Sequence, residues 1–356
     1  MKGIAVVSDL HLVEHYPQAG RGIPFFKSEN TKPDDEIVVF VEHARRRTDV
    51  LVINGDFVDF DLIPRQGEDD PTREALARLE LAYEHHRPVF DALKGFLESG
   101  GALALVMGNH DLDWFRPAVR ARLLEMLCGK RLDDADARFF EAPDGSQIVK
   151  AAAPKVFFYP RGFSIDGLLW AEHAHFFDPY ARWPDIMNPW LSDDDLYYPV
   201  GSLVNRYITL EMWSFNPFVK KQVLGGLKSY AAHYFKYHLV PPWRAPLKGL
   251  LGTLKVFTEA VRMARRWEKV SGRIDPLDEC YLAPVAASDA IHLFRTLWLD
   301  RFAIGAISAA AALGFAIAPL EPAAKLGAVA ASILALPAYE LVVGSPAKGR
   351  KLAPYL

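Results

Sequence analysis

Residues 4–12, IAVVSDLHL, decide the fold once two other stretches are set beside them: 50–59, VLVINGDFVD, and 102–111, ALALVMGNHD. Each opens on a short apolar run (Ile4 to Val7, Val50 to Ile53, Ala102 to Met107) and stops abruptly in Asp, Asn, His or Gly. Strands buried on both faces of a parallel sheet read this way, as continuous apolar runs ended by a polar cluster. Helical periodicity lies between them, from Asp35 to Arg47 and over a longer span from Thr72 to Glu98. Strand, helix, strand, helix, strand is the order of an α/β layered sheet. A further strand is expected over Ser164 to Glu172, followed by AEHAHFFDPY (171–180). There is no internal repeat and no low-complexity tract.

A chain of 356 residues, 51% hydrophobic and 24% charged, is long enough for one sizeable core plus additions and too apolar to be disordered. The net charge of -3 argues against nucleic acid as a binding partner, which would call for a positive excess on one face. Cys128 and Cys280 lie far apart with no metal-binding or redox spacing, so a reducing compartment is the simplest reading. The opening MKGIAVVSDLHL runs straight into a strand and lacks the pattern of a signal peptide, which places this domain in the cytoplasm.

The polar clusters carry the chemistry. In extended backbone Asp9 and His11 project to one side, a carboxylate and an imidazole converging on one metal. Gly55 permits a sharp turn out of the second strand, Asp56 is suited to bridging two cations, and Asp59 is placed as an acceptor behind the ligands. Asn109 offers an amide oxygen to a cation, His110 a proton donor, and Asp111 an acceptor to orient that imidazole. Taken singly, each group reads as a turn or a surface cluster. Together they all follow parallel strands, at the carboxyl ends where α/β sheets place their ligands.

Asp9-x-His11, Gly55-Asp56-x-x-Asp59 and Gly108-Asn109-His110-Asp111 resemble, in order and spacing, the first three signature blocks of the calcineurin-like metallophosphoesterases. The resemblance covers about the first 180 residues and implies a layered metallophosphoesterase β-sandwich flanked by helices. It further implies two divalent ions, with Asp9 and His11 on one, Asp56 bridging and Asn109 on the other. His110, paired with Asp111, would stabilise phosphate oxygens or protonate the leaving group, and a metal-activated water would attack phosphorus. Manganese is the first expectation, with iron, zinc and cobalt as alternatives for a mixed Asp, His and Asn ligand set. The family's fourth block fits His173, with His175 as competitor; for His175 a packing or substrate-contact role stands beside a metal role. The wording AEHAHFFDPY is similar to that of relatives near the UDP-2,3-diacylglucosamine hydrolases, although GNHD lacks the arginine associated with that branch. The family's last block, Gly-His-x-His, has no match. His233 and His238 are the nearest substitute, with spacing that points them apart, and a truncation before that block, beyond residue 356, is the expectation.

Past Tyr180 the texture changes. The organisation expected is a catalytic core over 1–180, a helical and partly basic insertion over 181–300, an apolar helical hairpin over 301–344, and a return segment over 345–356. In the insertion, Arg244, Lys248, Lys255, Arg262, Arg265, Arg266, Lys269 and Arg273 gather around Leu247, Leu250, Leu251 and Leu254, either as a solvated face or for contact with a membrane surface. Phe302 to Leu320 holds no charged residue and has the length of a bilayer span; Leu326 to Val343, with Pro337 and Glu340, is a weaker partner. Small-residue pairs Gly305/Ala309, Ala310/Gly314 and Gly327/Ala331 offer faces for close packing. Arg295 and Arg301 before the hairpin, and Lys348, Arg350 and Lys351 after it, put both ends on the cytoplasmic side of the cell membrane. The leading expectation is a phosphoesterase or pyrophosphatase acting on a lipid-linked or other membrane-associated phosphate. The alternatives are a soluble enzyme acting on nucleotides or phosphoproteins, with residues 302–343 as buried core helices, and an inactive membrane-anchored scaffold.

Overall fold

A computed structural model describes residues 2–13, 33–129, 145–148, 150, 155–185, 187–210, 244–270, 290–297 and 299–343. His233 and His238 lie outside them. The apolar runs form β1 (Ile4–Val7), β2 (Val50–Asn54) and β3 (Ala102–Val106), joined by β4 (Val156–Tyr159) in a 4-stranded sheet of order β1-β2-β3-β4, parallel throughout. Helix α1 (Pro33–Arg47) matches expectation, with Asp34, Asp35 and Glu36 in its first turn and Arg45, Arg46 and Arg47 in its last, each complementing the helix dipole. The longer helix does not run through: α2 (Pro71–His85) ends at His86 and α3 (Arg87–Glu98) restarts with Pro88 in its first turn, where a missing N–H costs nothing. Helix α4 (Pro117–Cys128) closes this half of the core, ending in Gly129 at φ 67°.

Alternation along the strands sorts the layers. Leu51, Ile53, Leu103 and Leu105 face the helices, in a core centred on the fully buried Trp114. Val50, Val52, Ala104 and Val106 face the other way. There they meet Phe163 and Ile165 of an antiparallel hairpin, β5 (Gly162–Ile165) and β6 (Leu169–Glu172), and Ile148 of the single turn α5 (Gly145–Ile148). The one strand expected over 164–172 is therefore two, reversed at Gly167, whose φ of 67° suits a tight turn. Among the described residues the expected β-sandwich amounts to one parallel sheet faced by this 2-stranded hairpin.

Trp183, Leu191, Leu196, Tyr197, Val200 and Leu203 share the main core. They lead into α6 (Val200–Val204), which widens into a π turn over Asn205–Thr209. Helix α7 (Arg244–Val270) buries Val256, Ala260, Met263, Ala264 and Trp267, a helical stripe against that core, and leaves Leu247, Leu251 and Leu254 exposed. The short α8 (Ala290–Thr296) precedes α9 (Leu299–Ile317) and α10 (Pro322–Val343), which pack against each other as the expected hairpin. Both are long and apolar enough to cross a membrane, and their apolar windows are only 11% and 0% buried. Among the described residues they are thus not core helices. Of the three glycines in the small-residue pairs, Gly305 is the one close to the facing helix, an added Cβ there lying 3.9 Å from Leu336; at Gly314 and Gly327 it would meet open space. At the hairpin's base Tyr339 donates to Asp300, which also pairs with Arg301.

Candidate metal centre

Beyond β1 the chain stays alongside the exit of β2. The Asp9, His11 and Leu12 amides donate to the carbonyls of Gly55, Asp56 and Phe57, and Asp59 N donates back to Leu12 O. The third loop joins when Phe60 N donates to His110 O and His110 N donates to Oδ1 of Asp56. The sequence bends sharply to do this. Asp9, His11 and Asp56 have φ of 57°, 45° and 52°, left-handed values that side-chain-bearing residues adopt at a cost of about 1–3 kcal/mol each. Asp9 and His11 therefore converge through turns and not through the extended backbone expected of them.

Two glycines make room. A Cβ on Gly108 would lie 2.2 Å from Oδ1 of Asp56, and one on Gly55, at φ 85°, would lie 2.3 Å from the ring of His173. Asp56 is consequently ringed by donors: Nε2 of His173 at 3.2 Å and Nε2 of His11 at 3.5 Å, the latter also 3.8 Å from Asp9. Nδ1 of His11 donates to Asp59 at 2.9 Å and Nδ1 of His173 to the Asn54 carbonyl at 2.9 Å. Imidazoles anchored through Nδ1 with Nε2 turned toward carboxylates have the orientation in which histidine ligates metals once Nε2 has given up its proton. Asp9, Asp56 and His173 have ligand atoms within 4.8 Å of one another, as do His11, Asp59 and His110. In the second group Asp59 already accepts from His11 and Leu62 N, so it serves as the support expected of it. The donor set of carboxylate oxygens and imidazole nitrogens fits first-row divalent ions.

The charges agree. Burial by itself would raise Asp56, but His173, His110 and His11 outweigh it and bring the carboxyl down to about 2. His173 is disfavoured as a cation by burial, yet Asp56 and the Asn54 carbonyl push it up to about 9. Asp59, wholly buried, is held far below the carboxylate range by His110 and His11. These are the attractions a buried cation would replace.

His110 differs from expectation in its partner. Its Nδ1 lies 3.3 Å from Asp59 and 3.4 Å from Asp61, and burial notwithstanding, Asp59 above all keeps the imidazole well above its usual pKa. Asp111 does not orient it. The Asp111 carboxylate accepts from Gly108 N at 2.6 Å and Phe57 N at 2.9 Å, stapling the second loop to the third, and burial followed by the Asp56 charge raises it to about 7. Asn109 sits half-buried between Gly108 and His110, its carbonyl accepting from Ser202. His175 is buried beside Phe176 and Trp183, both ring nitrogens lack a hydrogen-bond partner, and burial holds it neutral: the packing role. His173-Ala174-His175 is itself a His-x-His directly after a strand, with Glu172 where the unmatched block has glycine.

Asp61 and Asn54 were not singled out in the sequence, although Asp61 extends the Asp56-x-x-Asp59 spacing by two. Asp61 accepts from Arg206 Nε at 2.6 Å, and Arg206 reaches Asp113 at 3.2 Å. Arg206 also lines a cavity of about 210 Å³ that touches Arg65, Arg78, Arg116 and Tyr198 and includes none of the candidate ligands.

A family model described as calcineurin-like phosphoesterase matches residues 3–244, which takes in every loop of this centre. No curated protein and no solved structure matches the chain significantly.

Proposed function

Because this chain belongs to the calcineurin-like phosphoesterase family, whose members hydrolyse phosphoester bonds at a dinuclear metal site, we propose that it is a metal-dependent hydrolase of a phosphoester or phosphoanhydride in a lipid-linked substrate. The observation that carries the hydrolase reading is the ring of Asp9, His11 and His173 around Asp56, with both imidazoles anchored through Nδ1. Asp9, His11, Asp56 and His173 would hold the ions, with the Asn109 amide completing the set. Two bound ions, manganese first among them, supply Lewis acidity toward a phosphoryl oxygen and lower the pKa of water. The remaining work falls to side chains. Asp59 fixes the ring of His11, and with Asp61 it holds Nδ1 of His110, so the free Nε2 carries a proton toward the leaving oxygen. Asp111 keeps the second and third loops in register and stays clear of the reacting atoms.

The lipid-linked substrate and a position at the cytoplasmic membrane face rest on α9 and α10, whose apolar surfaces lie outside the protein core. Exposed Leu247, Leu251 and Leu254 on α7, flanked by Lys248 and Lys255, add an amphipathic face of the kind that meets anionic lipid.

The test is manganese-dependent hydrolysis of bis-p-nitrophenyl phosphate and of a lipid-linked pyrophosphate in detergent, by wild type and Asp56→Asn. Activity in wild type that disappears together with bound metal in Asp56→Asn is the expected result. A variant as active as wild type would end the metal reading. Cleavage of the water-soluble ester alone would end the lipid assignment.

A further inference from the structure

The proposal that His110 is the proton donor leaves open what aims it besides Asp59 and Asp61, and a further contact on its Nδ1 comes from outside the motif loops. The side-chain amide of Asn205 lies 3.2 Å from Nδ1 of His110, and because that nitrogen carries its proton toward Asp59 and Asp61 it is the amide oxygen that pairs with it. The next residue, Arg206, donates to Asp61 at 2.6 Å, and the other oxygen of Asp61 faces the same Nδ1 at 3.4 Å. Both residues sit on the π turn Asn205–Thr209, a rare backbone form that recurs at functional sites because the wider turn redirects consecutive side chains. Each is braced in turn. Thr209 bonds the Asn205 amide at 3.2 Å; Arg206 stacks on Tyr198, 3.8 Å from its ring centre, and reaches Asp113. The turn's backbone is held by Gly252 of α7, where an added Cβ would lie 2.5 Å from the Tyr207 carbonyl oxygen.

An arginine between two buried carboxylates does more than neutralise them. Asp61 without the guanidinium that grips it would be free to swing, and His110 would lose one of the two anions that fix its ring. We propose that Asn205 and Arg206 are positioning residues for His110, so that the segment following the motif loops sets the geometry of leaving-group protonation. This rests on the acid role given to His110.

The experiment compares two esters of nearly one shape on the full chain with manganese: bis-p-nitrophenyl phosphate, whose nitrophenolate departs readily without a proton, and diphenyl phosphate, whose phenolate needs one. For Asn205→Leu and Arg206→Lys, kcat on diphenyl phosphate should fall roughly 10- to 100-fold, as small misplacements of a catalytic group do. KM and bound manganese should be unchanged, and the loss on the nitrophenyl ester smaller. His110→Ala should show the same inequality, more strongly. Gly252→Ala, outside the site, should reproduce it by displacing the π turn, and it keeps the test alive if Arg206→Lys does not fold. Equal losses on both esters in the Asn205 and Arg206 variants, with the inequality kept in His110→Ala, overturn the positioning role alone. Equal losses in His110→Ala overturn the acid role and the positioning role with it.

Discussion

Oδ2 of Asp59 lies 2.9 Å from Nδ1 of His11, which fixes the ring so that Nε2 points at Asp56. Its other oxygen lies 3.3 Å from Nδ1 of His110, so one buried carboxylate orients both a candidate ligand and the candidate acid. Asp59→Asn keeps the shape and gives up one acceptor. The expected result is manganese affinity weaker by about 10- to 100-fold, the usual cost of losing a group that supports a ligand. Turnover should stay low even at saturating metal, because His110 is released as well. Metal titration followed by kinetics at saturation checks both, and full turnover at saturation would separate His110 from Asp59.

His110→Ala removes no anchored Nε2 from the ring around Asp56. Bound manganese should therefore match wild type while kcat falls by about 10²- to 10⁴-fold, the range for a lost acid or base. Metal analysis of the purified variant is decisive: loss of the ions would move His110 into the ligand set.

The space at Gly108 is taken by Asp56, whose Oδ1 and amide nitrogen lie 2.2 and 2.3 Å from where a Cβ would be. A backbone neighbour cannot swing aside as a flexible side chain would. Gly108→Ala should drive Asp56 out of place, with loss of metal and destabilisation of about 1–3 kcal/mol, the cost of overpacking. Thermal unfolding and metal content of the variant give the answer, and a metal-replete protein with unchanged Tm would refute it.

Asp113 is wholly buried, which alone would raise its carboxyl, but Arg206 and then Arg116 hold it below the ordinary range. Folding thus favours the ionised form. The stabilisation is present in full above the unfolded value of about 3.9 and is lost as pH falls through the folded one. Asp113→Asn, leaving Arg206 and Arg116 short of an anion, should cost about 3 kcal/mol at neutral pH. Its Tm should draw closer to that of wild type as pH drops from about 5 toward 2. A gap that stays constant over that window would mean that Asp113 contributes no charge.

Much of this was legible in the sequence because burial and catalysis leave different marks. The runs before Asn54 and Gly108 are strands buried on both faces, the run before Ser8 is, among the described residues, an edge strand with Val6 44% exposed, and the polar groups directly after all three had few other uses. What stayed hidden depended on contacts across sequence distance. Val156 to Tyr159 has no polar cluster behind it and looks like any apolar run until it pairs with β3. Asp111 was expected to pair with its neighbour His110, yet the turn that starts there sends the carboxylate to Phe57 and Gly108, while Asp59 and Asp61 take the imidazole. Asn205 and Arg206 carry no local signal; only the π turn brings them to His110.

The hairpin can be tested by substitutions whose sign depends on the surroundings. Ile307 and Leu313 on α9 are 69% and 67% exposed. Facing water, Ile307→Asp and Leu313→Lys would remove exposed apolar surface at almost no cost and improve solubility. Facing lipid, each charge near the helix centre costs about 2.5–3.5 kcal/mol on insertion scales. The double variant should then move from the membrane fraction, where wild type is expected to resist alkaline carbonate, to the soluble one or to aggregates. Hydrolysis of bis-p-nitrophenyl phosphate should survive in whatever remains soluble, because Asp9, His11, Asp56 and His173 are held by bonds among the motif loops themselves. A wild type recovered in the soluble fraction without detergent, with a double variant that is merely more soluble, would take the hairpin out of the membrane and the lipid-linked substrate with it.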